Sequence, residues 1–589
     1  MIAAATEENI MPRLCQTLAT GLALALVASC ARGDEQVASS AEQAAPDALA
    51  SESEIVVTGT LHRSAPMTSS NAITVVDAAR MARPSAPPPP PPVIAQGMFA
   101  PKGEPVRPYY QDVGRDKFAA AAENAFKVVR EEPVSTFSLD VDTASYSFVR
   151  ASLNQNTMPQ PAAVRTEEMI NYFPYDYPIA RSADQPFSTS VAVMPSPWTP
   201  GRQLVRIGVK GYEIAAATRP RANLVFLIDT SGSMNAPNKL PLVKQSLAML
   251  LDQLGGEDRV AIVTYAGSAG VALEPTPASR RNEILAVMDR LGAGGSTAGG
   301  EGIRQAYALA RQNLDPKGVN RVILATDGDF NVGITDPNEL KGFVERERGS
   351  GVFLSVLGFG MGNYNDALMQ TLAQNGNGVA AYIDTANEAR KTLVEEASSS
   401  LFPIAKDVKI QVEFNPRAVA EYRLIGYETR LLNRDDFDND KVDAGDVGSG
   451  RTVTALYEVV PIGGPRAIGD LRYAEPKPVP AGPASELGFI KIRYKLPKSD
   501  TSRLISVAID RRVQYARFED APQDARFAVA VAGFAELLRG GRHTGALGYD
   551  DVLAMANGAR GKDEFGYRSE FVQLVRAAKS ARSMAALAQ

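Results

Sequence analysis

Cysteine is almost absent from this chain: among 589 residues the two thiols are Cys15 and Cys30, both at the extreme N-terminus. No disulfide framework and no cysteine zinc site can be built in the remainder of the chain. Histidine is as scarce, with only His62 and His543. A Ser–His pair or a His-held catalytic metal therefore has no parts to draw on. Charge of one sign is missing too, since 62 basic residues against 67 acidic leave a formal net of −5. That balance offers nucleic acid no basic face. Nucleophile elbow, HExxH and phosphate-binding loop are all lacking, so an enzyme is not expected. Apolar residues are plentiful, at 45%. At this length they should fill several cores rather than one.

The most informative stretch is Leu224 to Met234, LVFLIDTSGSM. Five apolar residues run into a carboxylate, then hydroxyls at alternate positions give Asp229, Ser231 and Ser233. A short apolar run bounded by turn residues predicts a strand buried on both faces of a parallel sheet. Its polar loop lies at the carboxyl end, where open α/β sheets keep their ligands. The donors are all oxygen, as a hard cation such as Mg²⁺ requires. Two other loops bring more oxygen. Thr297 follows the turn Gly294-Gly295-Ser296, and Asp327 follows the strand-like run Arg321 to Thr326. The alternative is that Asp229 and Ser231 only cap the next helix.

At these five positions the chain resembles the von Willebrand factor type A domain, whose metal-ion-dependent adhesion site reads Asp-x-Ser-x-Ser, Thr, Asp. The resemblance implies that Ser231, Ser233 and Thr297 bind the metal through hydroxyls, while Asp229 and Asp327 act largely through water. One coordination position would stay open for an acidic group of a partner. Mn²⁺ or Ca²⁺ would serve as well as Mg²⁺. A lysine filling the cage would argue against any of them. Asp329 and Asn331 are read as an Asx-turn beside the site.

Upstream, Met11-Pro12-Arg13 and the apolar run to Ser29 have the length of a signal peptide rather than of a membrane span. Leu26-Val27-Ala28-Ser29-Cys30 resembles the lipobox of bacterial lipoproteins, which makes Cys30 the acylated residue and places the protein in the bacterial envelope. Ala31 after it resembles outer-membrane lipoproteins, with the head facing periplasm or surface. The alternative is a secreted protein. Residues 31–120, rich in Ala, Ser and Pro with a run from Pro87 to Pro92, read as a disordered tether about 50 Å long. Within it, Glu54 to Met81 resembles the start of a TonB-dependent receptor plug but is too short to be one.

The expected organisation is a signal peptide over 1–30, tether over 31–120, family-specific region over 121–220, metal-site domain over 221–400 and a β-rich then helical domain over 401–589. Helical pattern is expected from Ala119, strands at Phe187 to Pro195 and Gln203 to Tyr212, and their partners after residue 405. The metal-site domain should be an α/β doubly wound, mostly parallel sheet, inserted into a flanking β-sandwich-like region with C-terminal helices. Asp140 and Asp142 read as a helix cap, Asn387 to Ser398 as one helix, and the acidic run Asp435 to Asp443 as a solvated hairpin, since Lys441 and Val447 spoil a calcium loop. The segments Glu132 to Pro178 and Arg423 to Pro461 resemble a family of bacterial von Willebrand factor type A lipoproteins. The expected function is a membrane-tethered, metal-dependent protein-binding module; the alternative is an envelope scaffold or assembly factor with a silent metal site.

Overall fold

The computed structural model describes residues 116–295, 299–328, 337–362, 364–469, 471–473 and 485–587. Cys30, the tether as far as residue 115, the plug-like segment, Thr297, Asp329 and Asn331 lie outside them, while residues 116–120, expected as the end of the tether, are described and begin with a buried Asp116.

The apolar run forms strand Ala222–Asp229, buried at every position. It lies inside a six-stranded sheet ordered Ala380–Ile383, Val352–Phe359, Val319–Thr326, Ala222–Asp229, Arg259–Tyr265 and Ala269–Pro277. All neighbours pair in parallel except the last, an antiparallel edge strand. Helices cover both faces, giving one core around Val225, Leu227 and Tyr307 and another around Phe226, Ile228 and Leu247. This is the expected doubly wound sheet.

The flanks pair across it, as expected. Gln203–Gly211 runs antiparallel to Thr452–Pro461, joining segments on either side of the parallel sheet. With Phe187–Pro195, Val419–Ile425 and Lys127–Val128 it makes one antiparallel sheet. Val134–Ser138, Pro403–Phe414, Glu486–Lys495, Ser502–Asp510 and Leu431–Leu432 make a second, with Val447–Gly448 paired off the side of Pro403–Phe414. Val205, Ile207, Ile410, Val412 and Tyr457 fill the space between the two sheets. Helices Gln523–Leu538, Tyr549–Gly558 and Tyr567–Leu587 pack on the outer face of the first sheet through Phe527, Val531 and Phe571, with Trp198 against them. Among the described residues no helix is long and apolar enough to cross a membrane.

Four expectations are corrected. Residues 119–126 form no helix; the first among the described residues begins at Ala144. Asp116 pins that leading segment by accepting from the backbone N–H of Gly362 and Tyr364. Asp140 and Asp142 do not cap a helix. Both pair with Arg430, at 3.1 and 2.8 Å. The segment read as one helix is a helix Ala386–Arg390, a π turn Lys391–Glu395 and a helix Ala397–Leu401. The acidic run forms a 3₁₀ turn, Asp435–Phe437, and its Asp440 pairs with Arg493 at 3.0 Å.

Where insert meets sandwich, a cavity of about 40 Å³ is lined by Arg321, Asn377 and Asp446 among others. Burial, reinforced by Asp407, Asp140 and Asp443, pushes the Asp446 carboxyl up to about 7. Its Oδ2 accepts from Asn377 at 3.2 Å, and its Oδ1 has no partner among the described residues. The folded value lies above the unfolded one, so the stability from this group is complete below the ordinary carboxylate range and is lost as pH rises through 7. Asp446→Asn should therefore stabilise the chain by about 1–2 kcal/mol at pH 8 and leave it unchanged at pH 4. Urea unfolding at the two values checks this; equal effects at both would refute it.

Candidate metal centre

Strand Ala222–Asp229 delivers Asp229 to the carboxyl edge of the sheet with no exposed surface. Its Oδ1 accepts from the Ser231 N–H at 2.9 Å. Its Oδ2 accepts from the Tyr265 hydroxyl and the Thr326 hydroxyl, each at 3.2 Å. The carboxylate is thus oriented from both neighbouring strands. Ser231 is buried and its Oγ lies 3.0 Å from the Oγ of exposed Ser233. The short 3₁₀ turn Gly232–Asn235 holds both hydroxyls on one side, with Met234 buried beneath as its anchor.

The glycine-rich turn is stitched to this loop. Gly232 N–H donates to the Gly295 carbonyl at 3.1 Å, and Gly294 N–H to the Thr230 carbonyl at 2.8 Å. Gly295 has φ +89, and a Cβ there would sit 3.3 Å from the Gly267 nitrogen. Only glycine adopts that turn without strain. Asp327, fully buried, follows strand Val319–Thr326, and the Gly328 N–H bonds back to the Thr326 hydroxyl at 3.2 Å.

The structure thus gathers Asp229, Ser231 and Ser233 in one loop, with Asp327 on the adjoining strand end, while Thr297 lies outside the described residues. Burial raises the Asp229 carboxyl above its ordinary value against the pull of Ser231, and the Asp327 charge adds to the rise. Two buried carboxylates that repel each other, with hydroxyl oxygens facing the same loop, form a donor set that suits a hard divalent cation. Among the described residues no three of His, Cys, Asp and Glu are grouped to hold a metal. Hydroxyls would have to complete the shell here, so the residues fit only a cation content with neutral oxygen.

Three neighbours were not expected from sequence. Tyr265 and Thr326 orient Asp229, and each ends a strand beside it, so strand alignment alone could have found them. Lys239 carries no local signal. Its Nζ donates to Asp327 Oδ2 at 2.8 Å from a buried position. Among the described residues Asp327 is the member of the set that it meets, so one of the two candidate carboxylates already carries an internal cation.

Comparison with known proteins places these elements. Residues 223–396 match the von Willebrand factor type A domain, residues 112–206 the family described as von Willebrand factor, and residues 399–581 the family described as Uncharacterized protein YfbK, C-terminal. Uncharacterized protein YfbK of Escherichia coli (strain K12) is 43% identical over 470 residues, 78% of this chain and 81% of that protein. Inter-alpha-trypsin inhibitor heavy chain H4 of Homo sapiens is 34% identical over 179 residues, 28% of this chain and 18% of its own length. A solved structure, von Willebrand factor type A from Catenulispora acidiphila, matches with a TM-score of 0.36 and 16% identity, covering 65% of this chain and 89% of that one.

Proposed function

Since the chain belongs to the YfbK family and carries a von Willebrand factor type A domain, a protein-interaction module, we propose that it captures a partner protein through a divalent cation. Asp229, Ser231, Ser233 and Asp327, with Thr297, would hold Mg²⁺, or Mn²⁺ or Ca²⁺. A metal held mainly by neutral hydroxyls keeps most of its positive charge, and that charge would draw in a carboxylate side chain of the partner. The chain's own part is to aim the donors: Tyr265 and Thr326 fix Asp229, and the Gly232–Gly295 stitch fixes the approach of the second loop. We place this head in the bacterial envelope, lipid-anchored through Cys30. The carrying observation is the convergence of buried Asp229 and Asp327 with the Ser231–Ser233 pair at the carboxyl edge of one sheet.

The Lys239 ammonium on Asp327 favours a second reading, an assembly scaffold whose cage is silenced by that internal charge. Pull-down from envelope extract, with Mg²⁺ or chelator, separates the two. Under the first reading capture falls at least about tenfold with chelator and in Asp229→Ala, as loss of metal-positioning groups costs elsewhere. Capture that ignores both treatments would support the scaffold. A melting curve of the variant, compared with wild type, guards against simple misfolding.

A further inference from the structure

We propose that Lys239 is a built-in competitor and charge donor at the cage: it weakens binding of the divalent ion and leaves the loaded site with a surplus positive charge for an acidic ligand. This rests on the metal reading above. Lys239 immediately precedes helix Leu240–Leu251, and its backbone is fixed by its own N–H to the Ala236 carbonyl and by the Val243 N–H to its carbonyl, both 2.9 Å. The aliphatic stem runs over Gly360, just past the end of strand Val352–Phe359. Gly360 has φ +73, and a Cβ on it would lie 2.5 Å from Lys239 Cε and 2.7 Å from Cγ. A bare glycine is what gives this stem its passage. The path ends with the ammonium 2.8 Å from Asp327 Oδ2, and Asp327 has no exposed surface.

That contact sets the charge of the site. Counted over the whole site, the carboxylates of Asp229 and Asp327 balance the charge of a divalent ion, although they would face it largely through water. With Lys239 beside them the loaded site keeps one net positive charge, and the empty site keeps one net negative charge instead of two. A buried ammonium next to an incoming divalent ion repels it with little water to screen the repulsion. The same ammonium attracts a carboxylate that later closes the shell. Selectivity for an acidic ligand is thus gained at the expense of metal affinity.

The test is titration of the full chain with Mn²⁺, read by electron paramagnetic resonance of the free ion and by the Mn²⁺-induced rise in melting temperature. Lys239→Met and Lys239→Gln should each bind Mn²⁺ on the order of tenfold more tightly than wild type, since both remove the charge. Glutamine keeps an amide donor for Asp327, so it answers for any loss of that hydrogen bond. Equal affinity in wild type and both variants overturns the proposal, as does tightening in methionine alone, which would mark a steric effect. If Asp229→Ala binds Mn²⁺ as wild type does, the metal reading itself fails, and this proposal with it.

Discussion

Arg150→Ala should cost roughly 3–5 kcal/mol of stability at pH 7–8, the usual penalty for breaking a buried ion pair from one side. Arg150 is 2% exposed and lies on the helix Ala144–Asn154 of the N-terminal flank. Its Nε donates to Asp384 at 3.0 Å, its Nη2 to Glu388 at 2.7 Å, and its Nη1 to the Tyr172 hydroxyl at 2.9 Å and Glu570 at 3.0 Å. One guanidinium therefore joins the N-terminal flank, the helix Ala386–Arg390 of the insert and the C-terminal helix Tyr567–Leu587. Burial works to raise the Glu388 carboxyl, but Arg150 and then Lys391 outweigh it and hold it below its ordinary value. Its contribution is present above the ordinary carboxylate range and is lost as pH falls through the lower folded value. At Asp384 burial prevails over Arg150 and the carboxyl is raised. Without the arginine both acids are left charged in the interior at neutral pH, and both can escape by protonation in acid. The deficit of the variant should therefore shrink at pH 4. Chemical unfolding at pH 8 and pH 4 measures it. Adding Asp384→Asn and Glu388→Gln to an Arg150→Met background should recover much of the loss; no recovery would show that the arginine acts by packing alone.

Gly448→Ala should destabilise by about 2–4 kcal/mol, as overpacking against backbone does. A Cβ on Gly448 would stand 1.6 Å from the Ser399 carbonyl oxygen in the last helix of the insert. The next two residues clasp both joints of the insert. Ser449 N–H donates to the Phe402 carbonyl at 2.9 Å, where the chain leaves the insert. The Ser449 hydroxyl accepts from the Ile214 N–H at 2.8 Å, and Gly450 N–H donates to the Tyr212 carbonyl at 2.9 Å, where the chain goes in. Pushing Ser399 away loosens this clasp, so calorimetry should show one transition for wild type and two for the variant. Gly558→Ala is the control, because a Cβ there meets nothing within 4 Å. Its effect should stay within about 0.5 kcal/mol. Equal losses in both variants would remove the clasp argument.

How far the residues announced this structure depends on how local each cause is. Leu224 to Ile228 reads as a doubly buried strand because each side chain is apolar, and the structure buries each one. The strands Phe187–Pro195 and Gln203–Gly211 are visible in alternation, and their distant partners follow from the parallel insert between them. Strand Ser502–Asp510 escapes such a reading because it is an edge, with Arg503, Leu504 and Ser506 open to solvent and no clean apolar pattern. Asp140 and Asp142 resemble a cap in isolation; Arg430, almost three hundred residues on, decides otherwise. The π turn at Lys391–Glu395 is equally hidden. It lies where Lys391 points inward over the Tyr172 ring at 4.3 Å, a contact that no sequence period contains. At the candidate site, Asp229, Ser231, Ser233 and Asp327 are legible as turn residues at strand ends. Lys239 is not, since its role depends on an absent side chain at Gly360.

The clasp at Ser449 and Gly450 also bears on the order in which the parts fold as the chain emerges. The Asn171 amide oxygen waits for the Thr454 N–H, 283 residues later, and Gln203–Gly211, already paired with Phe187–Pro195, waits almost as long for its other neighbour Thr452–Pro461. Contacts of such sequence separation form late and slowly. The insert, whose strands pair among themselves, can mature first, while the sandwich strands made before it emerge with naked edges. A chain of which only the part before residue 452 has emerged would thus expose sticky β-ribbon beside a finished α/β unit, the state in which a holdase would be needed most.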